Sequence, residues 1–182
     1  MSSVFIFHGT GGTPEENWFP WLKKELEQIG HTVTVPAFPD TYHPNLETWL
    51  ATIKNEMSEM NEETILVGHS IGATLILRIL ERLRNPIRSC FLVAPVSEKI
   101  GDEWDTLFSG FIDPPFDWDR IKTNAQKREI LHANNDPYIP LSHARTLANH
   151  IGAELTVISG GRHLNQAAGF TEFPLLRNRI FQ

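Results

Sequence analysis

The stretch Thr64-Ile65-Leu66-Val67-Gly68-His69-Ser70-Ile71-Gly72-Ala73-Thr74-Leu75-Ile76-Leu77 decides the reading of this chain. It opens on an apolar run of the kind found in strands buried on both faces. It closes on residues that read as the start of a helix. Between them stands Gly-x-Ser-x-Gly, in the strand-turn-helix setting of a nucleophile elbow, where a sharp turn lifts a serine hydroxyl out of the chain. Glycines flank the turn because strand and helix pack closely there and the serine itself is strained. As bare letters the motif is weak: a small-residue turn or a phosphate-binding helix start looks the same. Ser70 is a candidate nucleophile whose partners must be found elsewhere.

Outward from the motif, strand and helix patterns alternate. Val4 to Phe7 is a short apolar strand, followed by the loop His8-Gly9-Thr10-Gly11-Gly12-Thr13-Pro14. A helix is expected over 17–29, stopped by Gly30, then a strand over 31–35. Leu46, Leu50, Ile53 and Met57 mark one face of a second helix. The helix after Ser70 is expected to run to about Leu83, its three arginines on one wet face. Further strands fall at 89–93, 129–133 and 155–158. A helix spans 140–150, and a last one lies within 166–181, interrupted at Pro174. Such alternation predicts an α/β fold, one domain over 1–182, with a six-stranded parallel sheet and helices on both faces. With strand order 2-1-3-4-5-6, the order reverses between strands one and three, where ligands bind in such sheets. The glycine-rich loop and Ser70 both lie there.

Composition excludes several classes. The chain has 182 residues, net charge −6 and no basic cluster, which argues against nucleic acid as a partner. Mean hydropathy is −0.24, no apolar run approaches a membrane span, and the N-terminal residues lack a basic-then-apolar leader pattern. A lone cysteine, Cys90, sits in an apolar strand and reads as an inert core thiol. The expected setting is the cytoplasm. Oligomeric state is not legible.

A serine nucleophile needs a base to take its proton and an acid to orient that base. In this topology the order is serine, acid, histidine, each on a loop after a strand. Asn134-Asn135-Asp136-Pro137 follows the fifth strand and Ser159-Gly160-Gly161-Arg162-His163 follows the sixth. Asp136 and His163 are the expected partners. Asp136 read blandly is a turn organiser, and His163 an exposed loop residue. The oxyanion donors should be the backbone N–H of Ile71 and that of Thr10, with Gly11 as the alternative, each worth on the order of 3 kcal/mol in the transition state. His8 and His69 read as loop-bonding residues. His31, His43, His132, His143 and His150 read as surface or structural, and neither a metal site nor a cofactor is expected.

Residues 97–126 read as irregular, and about thirty residues are too few for a full cap domain. Two readings stay open. The segment, which carries Trp104, Phe108, Phe111, Phe116 and Trp118, is an aromatic-rich connection over the sheet edge, or a partial lid whose aromatics, Phe108, Phe111, Phe116 and Trp118 among them, line an acyl or aromatic pocket.

Several of these residues resemble the small serine hydrolases of the YdeN / retinoblastoma-binding protein nine family, a reduced branch of the α/β-hydrolase superfamily. The resemblance runs through Trp21-Leu22-Lys23-Lys24-Glu25-Leu26, Pro39-Asp40, Trp49, Gly68-His69-Ser70, Gly101-Asp102-Glu103, Phe116-Asp117-Trp118 and Asp136-Pro137. It implies a minimal single-domain α/β-hydrolase fold and a Ser70, Asp136, His163 triad. The implied activity is hydrolysis of small ester or amide substrates through an acyl-enzyme. The retinoblastoma-type partner of animal relatives is tied to an L-x-C-x-E motif, which this chain lacks, so that partner is not expected. The rival expectation is a catalytically silent binding protein on the same scaffold.

Overall fold

The computed structural model describes residues 1–181. Six parallel strands form one sheet in the order β2-β1-β3-β4-β5-β6, as the alternation predicts. They are β1 Ser3–Phe7, β2 Thr32–Thr34, β3 Thr64–His69, β4 Ile87–Val93, β5 Ala125–Ala133 and β6 Glu154–Ile158. The period of two is visible in the core: Phe5 and Phe7 pack on one face, Val4 and Ile6 on the other. Register aligns Phe7 with Gly68 and His69 with Val93. The first-strand loop and the serine turn therefore leave the sheet at the same edge.

On one face lie α2 Leu46–Thr52, α3 Lys54–Glu59, α4 Ile71–Leu80, α5 Trp104–Ile112, α6 Trp118–Thr123 and α7 Leu141–Ile151. On the other lie α1 Phe19–Gln28 and α8 Pro174–Ile180. Helix α4 is buried along its whole length, and it is apolar on nearly every side, as a central helix is; Thr74 and Arg78 are its buried polar side chains. Cys90 is fully buried in β4, and the same burial pushes its thiol up to about 12.

Four local expectations are corrected. The 46–57 stripe is two helices, because the chain turns at Ile53, which caps α2 and opens α3. Pro174 starts α8 rather than interrupting a helix, consistent with proline's fit to a first turn. Residues 97–126 hold two helices, α5 and α6, the latter capped by Asp117 accepting from the Arg120 N–H at 3.0 Å. The elbow helix has no wet arginine at position 78: Arg78 is 3 % exposed. Its Nε donates to the Phe111 carbonyl at 2.8 Å and its guanidinium also reaches the Pro114 carbonyl. It pairs with Glu81 and covers the Phe116 ring at 3.7 Å. Glu81 and the 111–116 segment, not solvent, supply its partners.

Candidate active site

Ser70 stands at φ 55° and ψ −125°, a region that non-glycine residues avoid and that persists only where surroundings hold it. Here its N–H donates to the Val93 carbonyl at 2.9 Å. The flanking glycines are steric necessities. A methyl group built on Gly68 would lie 2.6 Å from the Gly72 carbonyl oxygen, and one on Gly72 would lie 2.5 Å from that of Phe7. Any side chain at either position would push α4 away from β3 or β1. A methyl built on Gly9 would come 3.0 Å from Ser70 Cβ, so the β1 loop does lie beside the serine.

Asp136 and His163 meet. Nδ1 of His163 donates to Asp136 Oδ2 at 2.8 Å. An ionised carboxylate only accepts, so this bond puts the ring proton on Nδ1 and leaves Nε2 with a lone pair when the ring is neutral. Asp136 Oδ1 accepts from the Tyr138 and Ile139 amides at 2.9 and 3.1 Å. Burial by itself would raise this carboxyl, but the His163 ring and those two amides outweigh it and hold the carboxyl below its ordinary 3.8. It is a carboxylate at neutral pH.

The two loops are joined by more than that bond. Asn134 Oδ1 accepts from the Gly160 N–H at 3.0 Å and Asn135 Oδ1 from the Arg162 N–H at 2.8 Å. Three consecutive side chains after β5 thus grip the loop after β6. Arg162 and Leu164, on either side of His163, both have positive φ, a strain those bonds hold in place. From below, the buried indole of Trp18 donates to the Leu164 carbonyl at 3.0 Å. Nε2 of His69 lies 2.8 Å from the His163 carbonyl oxygen. None of Trp18, Asn134 and Asn135 was singled out from sequence; the run of Asn, Asn and Asp before a proline was the available signal.

His69 and His8 have the loop-bonding geometry expected of them. Burial, with His163 close by, pushes His69 down to about 3. His8 donates from Nδ1 to the Gly9 carbonyl at 3.0 Å and accepts at Nε2 from the Phe38 N–H at 3.2 Å. One neutral tautomer satisfies both bonds, and burial keeps the ring's pKa low.

Ser70 and His163 line one cavity of about 270 Å³, together with Thr10, Gly11 and Asn165. No hydrogen bond joins Ser70 Oγ to the His163 ring in this structure. Among the described residues, the Thr10 and Ile71 N–H groups have no acceptor. The Gly11 N–H donates to the Thr41 carbonyl at 2.8 Å, which removes Gly11 as the alternative oxyanion donor. No group of three His, Cys, Asp or Glu side chains among the described residues is arranged to hold a metal ion.

Of the aromatics nominated as pocket walls, only Phe108 lines the cavity. Phe111 is fully buried and packs edge-on to Trp49 at 5.5 Å. Phe116 lies under the Arg78 guanidinium, and Trp118 stacks on His150 at 4.7 Å. Trp104, another aromatic of that segment, lines it too, and the walls that sequence reading missed are Tyr42, Ile100, Tyr138 and Ile139. Trp104 sits one helical turn before Phe108 on α5, so the i, i+4 spacing puts the two on one face.

Known proteins share the family and the fold of this chain. The serine hydrolase family model matches residues 4–182. YdeN of Bacillus subtilis is 32% identical over 175 residues, covering 95% of this chain and 91% of its own. The crystal structure of the ydeN product superposes with a TM-score of 0.94 over 100% of this chain and 97% of the other. The serine hydrolase RBBP9 of Rattus norvegicus is 28% identical over 91% of this chain and 86% of its own. Est1E of Butyrivibrio proteoclasticus, solved with ferulic acid bound, shares the fold at 15% identity, with a TM-score of 0.73 over 100% of this chain and 90% of that one. An elbow serine on a parallel sheet, matched over nearly its whole length by that family, makes this chain a member of the serine hydrolases with the α/β-hydrolase fold.

Proposed function

We propose that the chain hydrolyses small ester or amide substrates through an acyl-enzyme on Ser70. The observation that carries this reading is the 2.8 Å bond from His163 Nδ1 to Asp136 Oδ2, on a histidine that shares its cavity with Ser70. The bond leaves Nε2 free to take the serine proton. Ser70 Oγ then forms a bond to the substrate carbonyl carbon, and the carbonyl oxygen becomes an oxyanion. The two unoccupied amides, Thr10 and Ile71, are the donors for that oxygen. Collapse breaks the bond to the alcohol or amine, which leaves with the proton from His163. Water, deprotonated by the same ring, releases the acid and restores Ser70. Asp136 stays ionised throughout, holding the ring and its developing positive charge.

The Ser70–His163 bond closes when substrate is bound, since catalytic hydrogen bonds are commonly long in the free enzyme. A cytoplasmic setting belongs to this reading, supported by a single thiol kept inert in the core. The test is turnover of p-nitrophenyl acetate together with labelling by a fluorophosphonate. Both are expected in the native chain and lost in Ser70→Ala. A folded native chain that neither labels nor turns over any ester would favour the silent binding scaffold.

A further inference from the structure

We propose that the cavity beside Ser70 selects esters whose acyl group ends in a single uncharged aromatic ring, a proposal that rests on the hydrolytic reading of Ser70. Its walls come from three separate elements. Tyr42, on the loop after β2, lays its ring against the β1 loop: a methyl built on Gly11 would meet it at 3.2 Å. Tyr138, two residues after Asp136, stands edge-on to His163 with ring centres 5.0 Å apart. Trp104 and Phe108 stack on each other at 5.7 Å along α5. Ile100 and Ile139 fill the gaps. Flat π surfaces on several sides favour a ring over an alkyl chain, because aromatic pairs gain beyond the area they bury.

Charge points the same way. Among the described residues no Lys, Arg, Asp or Glu lines the cavity, so an ammonium or carboxylate on the acyl group would lose its water with no Lys, Arg, Asp or Glu to pair with. Besides Ser70 and His163, the polar side chains offered are the hydroxyls of Thr10, Tyr42 and Tyr138 and the amide of Asn165. Size sets the other limit. At about 270 Å³ the space falls below the roughly 300–1,000 Å³ of pockets for drug-sized ligands.

The wall on α5 is built rather than loose. Asp105 accepts from the Ile100 N–H at 2.7 Å and the Gly101 N–H at 2.9 Å, fixing the entry to the helix. Arg78 fixes its far end through the Phe111 carbonyl. Hydrolysis follows the steps already given.

The experiment compares kcat/KM for p-nitrophenyl esters sharing one leaving group: acetyl, 3-phenylpropanoyl, 3-cyclohexylpropanoyl, octanoyl and phenylalanyl. The phenylpropanoyl ester is expected to exceed the octanoyl and phenylalanyl esters about tenfold and the cyclohexyl ester about threefold. Trp104→Ala should cost the phenylpropanoyl ester at least about fivefold more than the acetyl ester. A best rate on octanoyl or phenylalanyl ester, or equal losses on both esters in Trp104→Ala, overturns the proposal. Should no ester turn over, binding to Ser70→Ala decides it by NMR titration. Tighter binding of 3-phenylpropanamide than of octanamide upholds the ring preference while the nucleophile reading falls; equal or absent binding overturns the preference as well.

Discussion

The imidazole of His69 donates from Nε2 to the backbone carbonyl of His163 at 2.8 Å. A carbonyl can only accept, so the ring must carry its proton on that nitrogen, and burial keeps it neutral. The residue before the elbow serine thus holds up the loop of the candidate base. His69→Leu removes the donor and leaves a buried carbonyl unpaired, at a cost of about 1–3 kcal/mol. Urea denaturation should show that loss, and kcat/KM on a short ester should fall about tenfold or more as the His163 loop relaxes. Stability lost with unchanged kcat/KM would mean that His69 is only a core residue.

Three buried histidines predict an acid-sensitive fold. His8, His69 and His132 all have lowered pKa values, with burial the largest cause in each. Each binds a proton more readily in the unfolded chain, so each leaves stability untouched above 6.5 and subtracts from it as pH falls below that value. For His69 the loss continues down to about 3 and amounts to a few kcal/mol. Asp136 adds to the decline at the acid end, since its lowered pKa contributes stability above 3.8 that disappears as it protonates. Urea midpoints measured from pH 8 to 4 should be level above about 6.5 and fall below it. His69→Leu should flatten that slope.

Asp136→Asn is expected to keep the fold and lose activity. An amide can present its NH₂ to the ring and so stabilise the wrong tautomer, with the proton on Nε2 facing Ser70; a fall in kcat on the order of 10³–10⁴ is expected from that change. Thermal melting within a few degrees of the native chain would separate this from unfolding. Retention of full kcat would remove Asp136 from the mechanism.

Asn135→Ala tests the loop grip apart from the chemistry. Loss of the bond to the Arg162 N–H should lower kcat/KM about tenfold through misplacement of His163. The cost in stability should stay near 1 kcal/mol, since the site is exposed.

Arg78→Met addresses the α5 wall. Arg78 is buried against Glu81, the Phe116 ring and two carbonyls, and breaking a buried pair of this kind costs about 3–5 kcal/mol. Hydrogen exchange should rise first in 104–123. Uniform exchange across the chain would show that Arg78 supports the whole core rather than this wall.

The elements around the site were readable because their signals are local. An apolar run ending in Gly68-His69-Ser70, and loops bearing Asp136 and His163 after later strands, follow from patterns within a few residues. Parallel topology then brings those loops to one edge. What escaped was set by distant contacts. Arg78 reads as a surface arginine until the Phe111 and Pro114 carbonyls come to it from over thirty residues away. Phe111, Phe116 and Trp118 read as pocket residues because composition shows which side chains are aromatic, not which face of a short helix meets the cavity. Tyr42 and Tyr138 escaped for the complementary reason, since each sits alone in a polar loop with no period to mark it. The amide of Gly11 was equivalent to that of Thr10 until the Thr41 carbonyl claimed it.

The central claim is an acyl group carried on Ser70 Oγ and placed there by His163. It is tested most directly by rapid acid quench of the enzyme with a slow ester, followed by intact and peptide mass spectrometry. The account predicts one acyl adduct, confined to the peptide bearing Ser70, absent in Ser70→Ala and greatly slowed in His163→Ala. An adduct on another residue, or ester turnover that persists in full in Ser70→Ala, would contradict it.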